Sequence, residues 1–202
     1  MRKLFDYKRL IQAFILASVI AVVFSMIPFS AQCGNISGEV FRLHILADND
    51  TQEAQSLKLK VRDSVLACSE RICKSSHSVN EAERLTSQNL QMIADTAQRT
   101  VYKEGFDYSV KAEIKKMYFN TRRYGRVTMP SGYYNALRIT LGEGKGRNWW
   151  CVMYPSLCVG ASTNYSELKD KTGENEYELM TEGVEYRFKL LEYFNNFCSL
   201  FS

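Results

Sequence analysis

Gly142-Glu143-Gly144-Lys145-Gly146-Arg147-Asn148-Trp149-Trp150-Cys151-Val152-Met153-Tyr154-Pro155-Ser156-Leu157-Cys158 is the stretch on which the reading of this 202-residue chain turns. Glycines at alternate positions permit positive φ and close backbone approach. Residues 142–147 therefore read as a loop that displays Glu143, Lys145 and Arg147. Residues 149–154 are large and apolar and read as a strand entering a core. Residues 136–141 read as the strand before the loop, so a hairpin is the simplest geometry. Trp149 and Trp150 are adjacent and would face opposite sides of the sheet. One then belongs to the core, and the other lies under a loop or stands out as a binding anchor. Cys151 and Cys158 bracket a proline-containing segment that a disulfide can close, with buried free thiols as the alternative. A phosphate-binding loop needs G-x-x-x-x-G-K-[ST] opening a helix. Here Gly146 and Arg147 follow Lys145 and a strand comes next, which argues against nucleotide binding.

Upstream, residues 41–47 alternate apolar and polar and read as a strand. Asp50 and Glu53 have capping-box spacing, and Ala54, Leu57, Val61, Val65, Cys68 and Ile72 then mark one helical face. Lys58, Lys60, Arg62 and Glu70 fall mostly off it. Ser78 and Glu81 repeat the box spacing. Ala82, Leu85, Asn89, Ile93, Ala97 and Val101 track a second helix to about residue 103, stopped by Glu104-Gly105. Two helices joined by a short linker suggest an antiparallel helical hairpin. Residues 106–114 alternate as a half-buried strand, extended by 115–119. Residues 120–134 form a long connection with Arg122, Arg123 and Arg126, a short basic loop suited to a partner surface or anionic headgroups. A short helix is expected around 165–171. A terminal helix is expected over 185–202, where Phe188, Leu191, Phe194, Cys198 and Phe201 share a face. The expected fold is α+β: a mainly antiparallel sheet with the helical hairpin and a C-terminal helix packed on one face.

The N-terminus bears on the compartment. Arg2, Lys3, Lys8 and Arg9 precede an apolar run over residues 10–29, and 28–32 resembles a cleavage region ending at Ala31. This is the layout of a secretory signal, and uncleaved it is long enough to be an anchor. The leading cations place the N-terminus inside and the body outside. All six cysteines lie after this segment, as suits an oxidising compartment. Cys68 and Cys73, five apart on a helix, are poorly placed for a bridge. Beyond residue 31 the net charge is only +1, so composition offers no basic face for nucleic acid. The expected organisation is a signal or anchor over 1–31, an α+β domain over 32–160, and a polar linker with an amphipathic helix over 161–202.

Several chemistries compete with simple structural roles. His44, Asp48, Asp50 and Glu53 could ligate a metal, and Glu143 with Asp48 or Asp50 could be an acid–base pair of a secreted wall hydrolase. The capping role of Asp50 and Glu53 argues against both. Cys151 as a nucleophile needs a histidine base. His44 lies on a strand and His77 in a linker. Neither a metal nor a cofactor is expected.

Five stretches resemble the stage II sporulation protein R family of endospore-forming bacteria. They are Leu43-His44-Ile45-Leu46-Ala47-Asp48-Asn49-Asp50, Leu57-Lys58-Leu59-Lys60-Val61-Arg62-Asp63-Ser64-Val65-Leu66, Tyr118-Phe119-Asn120-Thr121-Arg122-Arg123-Tyr124-Gly125, Leu137-Arg138-Ile139, and the opening stretch with its Asn-Trp-Trp-Cys block. Asp48, Met129 and Ser156 depart from the family's usual residues. The resemblance implies a secreted signalling protein that is not an enzyme. It would be exported across the forespore membrane into the space facing the mother cell. There it would activate a membrane-embedded aspartic protease that processes pro-sigma-E. Partner contact would then fall to Glu143, Lys145, Arg147, Asn148, Trp149 and Trp150, with Arg122 and Arg123, and membrane contact to the N-terminal segment.

Overall fold

A computed structural model describes residues 2–155, 165–181 and 188–193. Its centre is β1, Phe41–Leu46. On one side β1 pairs in parallel with β5, Gly132–Leu141, and on the other it pairs antiparallel with β6, Asn148–Tyr154. An antiparallel partner of β5, β2 at Val110–Phe119, completes a four-stranded sheet of order β2-β5-β1-β6. The α+β class is as expected, with two antiparallel pairings and one parallel. The hairpin between β5 and β6 does not exist: β1 lies between them, and the glycine loop crosses its end. Neighbouring strands lie about 4.8 Å apart, so the loop spans roughly 10 Å, within reach of six residues.

One sheet face carries Phe41, Leu43, Ile45, Leu137, Ile139, Leu141, Cys151 and Met153. It packs on α2, Gln52–Cys73, α3, Val79–Gln88, and α4, Leu90–Lys103. The apolar periodicity of α2 explains its seating, because Ala54, Leu57, Val61, Val65 and Cys68 are all buried. Each large aliphatic side chain buried this way contributes about 1.5–3 kcal/mol. The cap of α2 differs from expectation. Thr51, not Asp50, is the N-cap, its hydroxyl accepting from Ala54 N at 3.3 Å, while Asp50 is engaged elsewhere. The second cap is as read, with Ser78 Oγ accepting from Glu81 N. Glu81 reaches back to His77 N, one residue before the cap.

The expected long second helix is two helices. Asn89 stands between α3 and α4 at φ −110 and ψ 17, with its side-chain amide donating to Leu85 O. A side chain that bonds the local backbone offers an alternative to helical geometry. The stop at Glu104-Gly105 is as expected, with Gly105 at φ 82. Strand β2 begins at Val110 rather than 106.

The other sheet face is covered differently. The connection read as a loop over 120–134 forms a small hairpin of β3, Arg122–Tyr124, and β4, Val127–Met129. Val127 and Met129 pack with Phe119, Tyr134, Ala136 and Val152. The same cluster takes Ile36 and Val40, at and beyond the end of the N-terminal helix α1, Arg2–Gly38, together with Leu168 of α5, Tyr165–Thr172, and Met180 of α6, Glu174–Thr181. The helical cover is thus split between the two faces, α2–α4 on one and α5 and α6 with the end of α1 on the other. Helix α5 matches the helix expected near 165–171. Of the terminal helix expected over 185–202, only 188–193 lies among the described residues. There, Phe188 and Leu191 pack on Phe29 and Cys33 of α1.

Candidate functional site

The loop over 142–147 is built onto the segment that leaves β1. Gly146 N donates to Ala47 O at 2.9 Å and Lys145 N to Asp48 O at 3.0 Å. Glu143 N donates to Asp48 Oδ1 at 2.7 Å, and Arg147 N to Asp50 Oδ1 at 2.6 Å. Gly142 N goes to Ser109 O and Gly144 N to Leu141 O. All six loop N–H groups therefore donate inside the protein. A phosphate cradle needs such groups pointing outward, so this loop has none to offer.

The same geometry explains why glycine stands at alternate positions. Gly142 and Gly144 have φ of +54 and +64, a region that L side chains rarely adopt. A Cβ on Gly142 would overlap Asp48 Oδ1, one on Gly144 would lie 2.6 Å from Thr140 Cγ2, and one on Gly146 would overlap the Asn49 carbonyl. Between them, Glu143, Lys145 and Arg147 project outward, with side chains 68%, 77% and 74% exposed. Lys145 pairs with Glu143, and Arg147 Nε lies 3.5 Å from Asp50 Oδ1.

Lys58 is expected off the apolar face of α2, yet it is buried. Its Nζ donates to Arg147 O at 2.9 Å and to Gln55 Oε1 at 2.5 Å. Gln55 in turn donates to Asn49 O. Burial, then the Arg147 charge, pulls the Lys58 ammonium below its ordinary range. Sequence spacing contained the signal, because Lys58 is four residues after Ala54 and three before Val61, inside the buried stripe. Asp48 and Asp50, the candidate acid–base partners of Glu143, are holding loop N–H groups, and Asp48 Oδ2 also accepts from Asn49. Glu53 and His44 join no metal-binding group with them: among the described residues no cluster of three such ligands occurs.

Trp149 and Trp150 do face opposite sides, and both are half-buried. Trp149 packs against the helical-side core under the Arg62 guanidinium, 4.5 Å from the ring centre. Trp150 stacks on His44 at 3.9 Å, meets Phe119 edge-on at 4.8 Å, and has Arg122 at 5.4 Å. Neither is a fully exposed anchor. Asn148 is exposed at the start of β6, opposite Leu46. Arg123 is exposed and donates to Gly125 O. The site residues thus fall into two groups: the loop trio at the C-terminal end of β1, and Arg122 and Arg123 on the hairpin over the second sheet face.

Beneath that hairpin lies a feature the sequence did not announce. Arg42 is fully buried, with its guanidinium 4.2, 4.8 and 5.6 Å from the ring centres of Phe119, Tyr134 and Tyr124. It donates to Cys151 O at 3.2 Å and to Tyr124 Oη at 2.6 Å. Next along the strand, His44 is held near pKa 4, first by burial and then by the Arg138 charge. In the unfolded chain it titrates near 6.5, so the folded state binds fewer protons between these values. Stability is then full above about pH 6.5 and falls as pH drops toward 4. The expected loss is about 2–3 kcal/mol, read as a declining urea midpoint. His44→Phe keeps the stack on Trp150 without an ionisable ring and is expected to flatten that acid limb.

Cys151 is buried and its sulfur is engaged in a disulfide. Cys158, its expected partner, lies outside the described residues. Cys68 and Cys73 are free thiols.

The fold and this loop define an α+β domain behind an apolar N-terminal helix, displaying rigidly held charge at one end of its sheet. The chain belongs to the stage II sporulation protein R family, whose model matches residues 37–164. It is 36% identical over 149 residues to the stage II sporulation protein R of Bacillus subtilis (strain 168), an alignment covering 74% of this chain but 66% of the relative. Membership places it among sporulation proteins. No solved structure matches the chain.

Proposed function

We propose that this protein is an exported messenger of sporulation, not an enzyme. It would leave the forespore behind its apolar helix and dock on the outer face of a membrane-embedded aspartic protease. That protease would then process pro-sigma-E in the mother cell. The observation carrying the docking site is the loop over 142–147. Its backbone N–H groups are all engaged within the protein, and its three charged side chains stand in solvent. A loop ordered before binding loses little entropy on docking, so its charges can discriminate a partner surface. An activator acts only by binding the active state of its target more tightly than the inactive one. Asn148 extends the loop surface, and Trp149 and Trp150 follow it into the two faces of the sheet.

The test is reconstitution in a non-sporulating host, with this protein, the cognate protease and the sigma-factor precursor expressed together. Precursor cleavage should require both this protein and its apolar N-terminal segment. Lys145→Glu and Arg147→Glu should each abolish cleavage while protein level and export persist. Full cleavage by both variants would remove the loop from the interface. Absence of cleavage by the folded, exported wild type would overturn the activator reading.

A further inference from the structure

Helix α1 runs without interruption through Pro28 and Ala31 to Gly38. Its two parts differ sharply. Leu10, Phe14, Leu16, Val19, Phe24 and Ile27 are exposed, whereas Phe29, Cys33 and Ile36 are buried against the domain. Phe29 stacks on Phe188 at 5.4 Å between ring centres. The exposed run over 10–27 is about 27 Å long at 1.5 Å per residue, close to the ~30 Å of a hydrocarbon core. The cleavage region read over 28–32 is thus part of a continuous helix, with Phe29 inside it buried against the domain, rather than an exposed loop of the kind proteases prefer.

Cations gather where this helix leaves the domain. Leu191 packs with Phe29, and the neighbouring Glu192 accepts from Thr121 N and pairs with Lys189. Arg122 and Arg123 follow directly and are exposed. Lys115 and Lys116, also exposed, pair with Ala136 and Asn135 at the end of the sheet where β1 begins. Tyr133, 63% exposed, lies edge-on to Tyr118 at this same end. Tyrosine is favoured at membrane–water interfaces. No acidic residue occurs between Glu113 and Glu143, a stretch holding six cations. Among the described residues the carboxylates at this end include Glu39, exposed between α1 and β1, Glu192 bonded to Thr121 N, and Glu83 bonded to Asn135.

We infer that α1 remains attached as a membrane anchor, and that the cations around its exit seat the domain on anionic phospholipid headgroups of the leaflet it leaves. The glycine loop lies at the opposite end of β1, about 20 Å away, and stays clear for a partner. This rests on export of the domain but not on what the loop binds, so the cleavage assay and the test below fail independently.

The test uses the full chain. Intact-mass spectrometry of the exported protein should find residues 1–31 retained. A product beginning near Gln32 overturns the anchor. The full chain is then reconstituted in vesicles of phosphatidylcholine alone or with phosphatidylglycerol added, and surface lysines are acylated and mapped. Acylation of Lys115 and Lys116 should slow about threefold or more with phosphatidylglycerol and recover at about 0.5 M salt, while Lys145 reacts equally in both vesicles. Equal rates at Lys115 and Lys116, protection of Lys145 as well, or protection appearing only when the membrane protease is added would each overturn the seat. Arg122→Glu with Lys116→Glu should abolish the protection left at Lys115.

Discussion

Arg42→Ala is expected to destabilise the fold by about 3–5 kcal/mol, measured as a shift in urea unfolding. The guanidinium has no exposure and, among the described residues, no carboxylate partner; three aromatic rings and two oxygen acceptors hold it. A desolvated cation over a ring face is stabilised by about 2 kcal/mol. Truncation also removes the side-chain donor to Cys151 O and leaves Tyr124 Oη with only its bond to Trp150 O, and a buried polar group left unpaired costs about 1–3 kcal/mol. A cavity adds to this. Arg42→Met separates these effects. A thioether fills much of the space and suits aromatic surroundings, and it removes a charge that was expensive to bury. Its loss should be only about 1–2 kcal/mol. An Arg42→Ala protein within about 0.5 kcal/mol of wild type would mean that the ring cage contributes nothing to the fold.

Gly146→Ala is expected to cost about 2–4 kcal/mol and to lower signalling with it. The added methyl would meet the Asn49 carbonyl and come within 2.5 Å of its carbon. Both atoms are backbone, so no side-chain rotation relieves the overlap. The loop would have to lift, breaking the bonds of Gly146 N to Ala47 O and Lys145 N to Asp48 O. Gly142→Ala meets a side chain instead, yet Asp48 could yield only by giving up Glu143 N. Gly34→Ala is the control. It lies in a helix with open space around it, where alanine is preferred over glycine by about 1 kcal/mol. Urea midpoints of these three variants order the effects. A Gly146→Ala protein as stable as Gly34→Ala would refute the close approach.

The elements themselves were mostly legible, because apolar spacing is a local property. The stripe from Ala54 to Cys68, the Ser78 cap and the stop at Gly105 all follow from residues a few positions apart. The misreadings share one cause. Asn89, four residues before Ile93, fits a helical face by position, but its amide takes a backbone carbonyl and parts α3 from α4. Residues 136–141 and 149–154 look like a hairpin because consecutive strands usually pair. Nothing within that stretch shows that a strand a hundred residues earlier inserts between them.

The candidate site divides in the same way. The alternate glycines signalled unusual backbone, but the reason for them, the chain at Ala47–Asp50 crossing beneath, is a long-range contact. Asp48 and Asp50 looked like available carboxylates until the loop's N–H groups were seen to occupy them. Arg42 and His44 looked like the polar side of a half-buried strand, since alternation alone cannot tell water from an aromatic second layer.

By itself, the sequence determined the helix and strand types, the apolar N-terminal segment, the charged glycine loop and the family. These depend on side-chain period, on composition and on backbone freedom, all set within a few residues. Only the tertiary structure decided that β1 splits β5 from β6, that Asp48, Asp50 and Lys58 clamp the loop, and that Arg42 lies in a cage of rings. Each of those depends on which distant segments share space, and that choice is made by burying both faces of one sheet.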